Sequence, residues 1–147
     1  MAYSNALSTY KETKIKTAGQ GQLIVMLYEE AARQLNTAVE LLTKNTEKKD
    51  PGKIEQISKA IMKAEEIITE LMVSLDFEQG GEISKNLFSL YTWFNRELLE
   101  ANIAQDLKRI KTVMNMIVEL RDVWSEISKK AASDTSNREI TGINIAG

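Results

Sequence analysis

The sequence predicts an all-α protein: an antiparallel, up-down-up-down four-helix bundle with a short N-terminal cap segment and a flexible C-terminal tail. Three observations predict it. Apolar residues recur at helical spacing along most of the chain. One proline and seven glycines in 147 residues leave long stretches without a breaker. The stretches between periodic segments are short, and short connections make consecutive helices antiparallel.

The first helix, over about 20–44, places Leu23, Leu27, Ala31, Leu35, Ala38 and Leu42 on one face. The second, over 51–75, carries Ile54, Ile57, Ile61, Ala64, Ile68, Leu71 and Leu75 at alternating spacings of three and four. Asp50 suits its N-cap and Pro51 its first position. In the third, over 83–101, Leu87, Leu90, Tyr91, Phe94, Leu98 and Ala101 share a face. The Gly80-Gly81 pair before it reads as a helix end with a reversal. The fourth, over 106–131, starts at Asp106 as N-cap and carries Leu107, Ile110, Met114, Ile117, Trp124 and Ile127. Together they form a bundle over 19–131 with helices roughly 30–38 Å long at 1.5 Å per residue. Residues 1–18 form the cap segment, either a short helix or extended chain. Residues 132–147, rich in Ser, Thr, Asn and Gly, form the mobile tail.

Composition narrows the chemistry. The chain has no Cys and no His, which removes thiolate nucleophiles, the usual neutral-pH base and the commonest metal ligand. The expectation is a protein that is not an enzyme and uses no cofactor and no metal. Glu29-Glu30 and Glu65-Glu66 are adjacent carboxylates, but neighbours on a helix point about 100° apart and read as solvated faces. Gly19-Gln20-Gly21 lacks the third glycine and the Lys-Ser/Thr of a phosphate cradle. A net charge of −2 favours neither nucleic acid nor anionic lipid. No apolar run reaches the roughly 18 residues of a membrane span, and Met1–Lys14 lacks a signal-peptide core. The expected setting is the cytoplasm, with no nucleic-acid partner and no membrane insertion.

The informative excess lies in Leu75–Asn102, which holds four of the nine aromatics: Phe88, Tyr91, Trp93 and Phe94. A bundle helix needs an apolar arc of roughly 100°. With Leu87 as zero, Phe88 and Leu99 fall about 100–120° away on one flank and Trp93 about 120° away on the other. Met62, Ile67 and Val73 are outliers of the second helix; Val25, Tyr28 and Val39 are outliers of the first. These residues either widen the core or line grooves that accept an amphipathic helix or extended peptide. Asn95 sits at the edge of the core arc, where it either pairs inside the bundle or bonds a bound backbone. Asn102 reads first as a helix-end residue, with backbone binding as its other role. Trp124 reads as a packing residue.

These residues resemble the flagellin-specific export chaperones of the bacterial flagellar secretion system, the FliS family. The resemblance covers about residues 3–128. It rests on Leu75–Asn102 (LDFEQGGEISKNLFSLYTWFNRELLEAN), Asp106, LRDVW at Leu120–Trp124, LIVMLYEEA at Leu23–Ala31 and Thr17-Ala18, in that order. It implies a cytosolic chaperone that binds the C-terminal segment of flagellin in inter-helix grooves. Such a chaperone prevents premature polymerisation and helps deliver the subunit to the flagellar type III export apparatus. It also implies an export-gate component as a partner, with regulatory proteins of flagellar assembly as further candidates. By resemblance the client-binding residues are Tyr10, Tyr28, Ile67, Phe88, Tyr91, Asn95, Leu99 and Asn102, Tyr91 having a structural role as its alternative. The chain departs from the family at Gly19-Gln20-Gly21, where many relatives carry Ser-Pro, and in its longer tail. The competing reading is a structural or adaptor bundle that self-associates through the same apolar surfaces.

Overall fold

The computed structural model describes the backbone of residues 2–146 and the side chains of residues 21–131 and 133. Four helices follow one another: α1 (Ala2–Lys44), α2 (Pro51–Val73), α3 (Phe77–Ala104) and α4 (Leu107–Ala146). No strand occurs among the described residues, so the all-α four-helix class expected from the sequence is the one observed. Among the described residues, no helix is long and apolar enough to cross a membrane. The expectations for the cap segment and the tail rest on side chains outside the described residues.

Local chemistry sets the helix starts. The Asp50 carboxylate accepts from the Gly52 and Lys53 amides at 3.0 and 3.4 Å, and Pro51 occupies the first turn, where no amide hydrogen is needed. Asp76 accepts from Glu78 and Gln79, both at 3.0 Å, and Asp106 from Arg109 at 3.3 Å. The periodic pattern starts the third helix at 83, whereas the structure adds a turn from Phe77. Gly81 then breaks the helix with φ 50° and ψ −124°. Periodicity cannot report that turn, because its start is set by the Asp76 cap. The α1–α2 loop is braced by Asn45, whose Oδ1 accepts from the Asp50 amide at 3.3 Å. Lys48, at φ 58°, reaches across to donate to the Ala104 carbonyl at 2.9 Å, at the carbonyl end of α3.

The helices form a ring. α1 packs extensively on α2 and α4; α3 closes the ring on α2 and, most lightly, on α4. α1 is therefore the most enclosed element. Its flank residues Tyr28 and Val39 are buried along with its core stripe. The centre is filled by Leu27, Leu35, Ile57, Ile61, Ile68, Phe94, Leu98 and Ile110, each at most 1% exposed. At one end, Gly21 lets α1 lie close to α4, because a Cβ there would come within 3.1 Å of the Ser128 Oγ. On α4 the buried series is Ile110, Val113 and Ile117. Ile127, expected on that stripe, is 51% exposed. At 100° per residue it has rotated about 80° away from Ile117.

The light α3–α4 contact is reinforced by charge. Arg109 donates from Nε and Nη2 to the two Glu97 carboxylate oxygens, both at 2.9 Å, and also reaches Glu100. These hydrogen bonds hold the Glu97 carboxyl below its ordinary range, and the carboxylates push the Arg109 guanidinium further up. A depressed carboxyl stabilises the fold above its unfolded pKa and loses that contribution as pH falls through the folded value.

A Gly81→Ala variant tests the backbone argument. Nothing lies within 4 Å of the added methyl, so only the left-handed φ opposes it. The expected loss is about 1–3 kcal/mol, because φ 50° with ψ −124° lies outside even the left-handed helical basin, and it is seen as a lower urea midpoint with unchanged slope.

Candidate partner-binding groove

Two stripes face each other across the α2–α3 seam. On α2, Met62, Glu66, Thr69 and Val73 recur at spacings of four and three and so share one face. On α3, Phe88, Asn95, Leu99 and Asn102 do the same over about 21 Å of helix. Polar cross-ties fix the register. The Ser58 hydroxyl on α2 donates to Asn102 Oδ1 on α3 at 2.9 Å. Asn95 Nδ2 on α3 donates to Thr69 Oγ1 on α2 at 3.2 Å. As the α2 partner advances from Ser58 to Thr69, the α3 partner retreats from Asn102 to Asn95, so the two helices are antiparallel.

Between these ties lies a groove of about 520 Å³, lined by Met62, Glu65, Glu66, Thr69 and Glu70 of α2 and by Asn95, Arg96 and Leu99 of α3. Met62 is 56% exposed and Leu99 53%. Beyond the groove, Val73 and Phe88 are also exposed, and the Phe88 ring meets Phe77 edge-on at 5.9 Å between centroids. The walls are not fully satisfied. Glu65 Oε1, Glu66 Oε2 and Asn95 Oδ1 are shielded from solvent and have no hydrogen-bond partner. Burial pushes the Glu65 carboxyl above its ordinary value. Among the described residues, no group of three or more His, Cys, Asp or Glu side chains is placed to hold a metal ion.

The structure divides the residues singled out from the sequence. Asn95, Leu99 and Asn102 come together on the seam, and Phe88 lies on the same face of α3 beyond the groove, against Phe77. Tyr28, Ile67 and Tyr91 are buried at 0–2% exposure, so they are core residues in this structure and support the wall from behind. Their helices are covered on the flanks in question by the neighbours they pack against. The Tyr28 and Tyr91 hydroxyls bond to each other, with ring centroids 6.4 Å apart. Burial raises both phenols, Tyr28 well above the ordinary range, while the Trp124 indole, a hydrogen-bond donor only, opposes the shift at Tyr28. Trp93, placed on the other flank with core and groove as its alternatives, is partly buried against the core and packs on Phe94 at 5.9 Å. Asn102 does not close α3. Gln105 does, in the left-handed conformation at φ 53°, and Asn102 lies inside the last turn with its side chain turned to Ser58. The Tyr10 side chain lies outside the described ones.

Sequence reasoning missed Glu65, Glu66 and Thr69. The carboxylate pair reads as solvated surface because charge alone says nothing of a wall opposite. The available signal is the spacing of Met62, Glu66, Thr69 and Val73, which puts two acid or hydroxyl groups between two exposed apolar residues.

Comparison with known proteins follows this geometry. The family model described as "Flagellar protein FliS" matches residues 3–131, most of the chain. The chain belongs to the FliS family. It is 34% identical over 126 residues to the flagellar secretion chaperone FliS of Salmonella typhimurium, covering 85% of this chain and 88% of that one. It is 33% identical over 115 residues to the Escherichia coli K12 protein of the same description, covering 78% and 80%. With the Bacillus subtilis protein it shares 27% over 134 residues, covering 91% and 94%. FliS is a chaperone family, not an enzyme class.

Two expectations test the local chemistry. Tyr28→Phe and Tyr91→Phe each strand a buried hydroxyl and should cost about 1–3 kcal/mol, whereas the double variant should cost less than their sum; urea titration of the cycle checks this. The Glu65 carboxyl, raised in the folded state, costs no stability below its unfolded pKa; the cost sets in as pH rises through that value and is complete above the folded one. Glu65→Gln should therefore raise the melting temperature at about pH 7, with the gain vanishing near pH 4.

Proposed function

We propose that this chain is a cytosolic flagellar export chaperone that binds the C-terminal segment of flagellin in its inter-helix grooves. Bound there, the segment cannot join a growing filament, and the subunit is held ready for the flagellar type III export apparatus. An export-gate component is the second partner of this reading. Family membership supports it, and the observation that carries it is the α2–α3 seam: apolar side chains left exposed beside buried oxygens that lack partners.

The physics suits a client that polymerises through apolar surfaces. Covering the exposed parts of Met62, Val73, Phe88 and Leu99 contributes on the order of 1 kcal/mol each. Ordering a disordered segment offsets much of that gain, which leaves a complex that can be released at export. A hydrogen bond to Asn95 Oδ1 removes a desolvation cost already present in the free chain.

The test is titration with the last roughly 40 residues of flagellin from the same organism, enough to run the length of α2 even when fully helical. Saturable binding is expected. Phe88→Asp and Leu99→Asp should each weaken it by about tenfold or more while leaving the melting temperature nearly unchanged. Absence of saturable binding would overturn the reading. Melting like that of a core variant would return Phe88 or Leu99 to the core.

A further inference from the structure

The polar groups of the α2–α3 groove are one-sided. The Thr69 hydroxyl donates to the Glu65 main-chain carbonyl at 2.9 Å, so its oxygen is left to accept. That fixes the Asn95 amide, whose Nδ2 donates to Thr69 Oγ1. The relay from Asn95 through Thr69 to the Glu65 carbonyl therefore ends inside the wall. The atoms without partners are all oxygens: Glu65 Oε1, Glu66 Oε2 and Asn95 Oδ1. Of the charged side chains that line the groove, Glu65, Glu66 and Glu70 come from α2 and Arg96 from α3. Three acids against one base leave the groove net negative at neutral pH.

A purely apolar occupant would make this worse. It would strip the remaining water from two adjacent carboxylates and return no donor, at a cost of several kcal/mol per charge. A neutral donor would satisfy one oxygen and leave the charge uncompensated. A cationic side chain on an apolar stem does both, because its methylenes lie along Met62 and Leu99 while its N–H groups reach the acids.

We infer that the segment occupying the α2–α3 groove carries a Lys or Arg between apolar residues, sets it against Glu65 and Glu66, and gives a backbone N–H to Asn95. This rests on the flagellin-binding reading and adds the chemistry that the bound segment presents at this groove. Attraction across the groove also makes capture depend on salt, unlike burial of apolar surface alone.

The experiment uses the full chain and the flagellin C-terminal peptide of roughly 40 residues, titrated at about 50 and 300 mM NaCl. Wild-type affinity should fall severalfold with salt. The double variant Glu65→Gln/Glu66→Gln should bind about tenfold more weakly at low salt and lose the salt dependence. Met62→Ser should weaken binding and keep it. On the peptide side, replacing the cognate Lys or Arg by Met should weaken binding to the wild type and have little further effect on the Gln/Gln variant. A circular-dichroism melt checks that the variants fold, and the peptide replacements read the same contact with the chaperone untouched.

Wild-type binding with an unchanged affinity and salt slope in Gln/Gln overturns the cationic-segment inference and leaves the flagellin-binding reading standing. So does a peptide set in which no Lys or Arg replacement matters. Absence of binding by the wild type overturns both. A concentration-dependent dimer in sedimentation that Met62→Ser abolishes makes a second copy of the chain the occupant and also overturns the inference.

Discussion

The Tyr28 and Tyr91 hydroxyls, both buried, meet inside the bundle and hydrogen-bond to each other. Apolar packing alone tolerates small rotations of a helix about its own axis; a buried hydroxyl pair does not, since a shift of an ångström or two strands both groups. The Trp124 indole beside Tyr28 adds α4 to the arrangement, so α1, α3 and α4 converge on one polar point within the core. Fixing Tyr91 inward fixes the azimuth of α3. Phe88, Asn95, Leu99 and Asn102 then lie within about 80° of Tyr91 on the side toward α2. The groove wall follows from a contact buried behind it.

The ring of helices explains why that wall stays open. α1 is flanked extensively by α2 and α4, and its off-stripe residues Tyr28 and Val39 are absorbed into the core. α3 has the lightest packing of the four, and its join to α4 relies partly on Arg109 gripping Glu97 and Glu100. With less protein against it, α3 keeps Ile83, Phe88, Leu99 and Ile103 exposed. Stability is concentrated on one side of the bundle and uncovered apolar surface on the other.

Most of the fold was legible because heptad-like spacing is a property of sequence alone. Leu23 through Leu42 and Ile57 through Leu71 are buried as their spacing requires, and Asp50 and Asp106 both cap as read from the sequence. The flank calculation separated Phe88 and Leu99 from the α3 stripe, and both are exposed. Whether Trp93, Tyr28 and Ile67 widen the core or line a groove stayed open, because an angle measured from a helix axis does not say how wide the neighbouring helix is; in the structure all three pack in or against the core. Asn102 was misread for a related reason: its helical position near the end of α3 was visible, but its Ser58 partner, 44 residues away, was not. Glu65 and Glu66 were invisible as groove residues, since a carboxylate looks solvated until the opposing wall is known.

Thr69 acts as a polarity switch for the groove. Its single hydroxyl hydrogen goes to the Glu65 carbonyl, and this alone decides which end of the Asn95 amide turns toward α2. A valine there has the same shape but no oxygen. The Asn95 amide would then be free to rotate by half a turn and offer its NH₂ to the groove, next to the two carboxylates. The groove would keep its apolar walls and exchange an acceptor for a donor. A change at one hydroxyl on the groove wall is thus enough to retune which backbone groups a relative of this chain favours, with Met62, Leu99 and the two carboxylates unchanged.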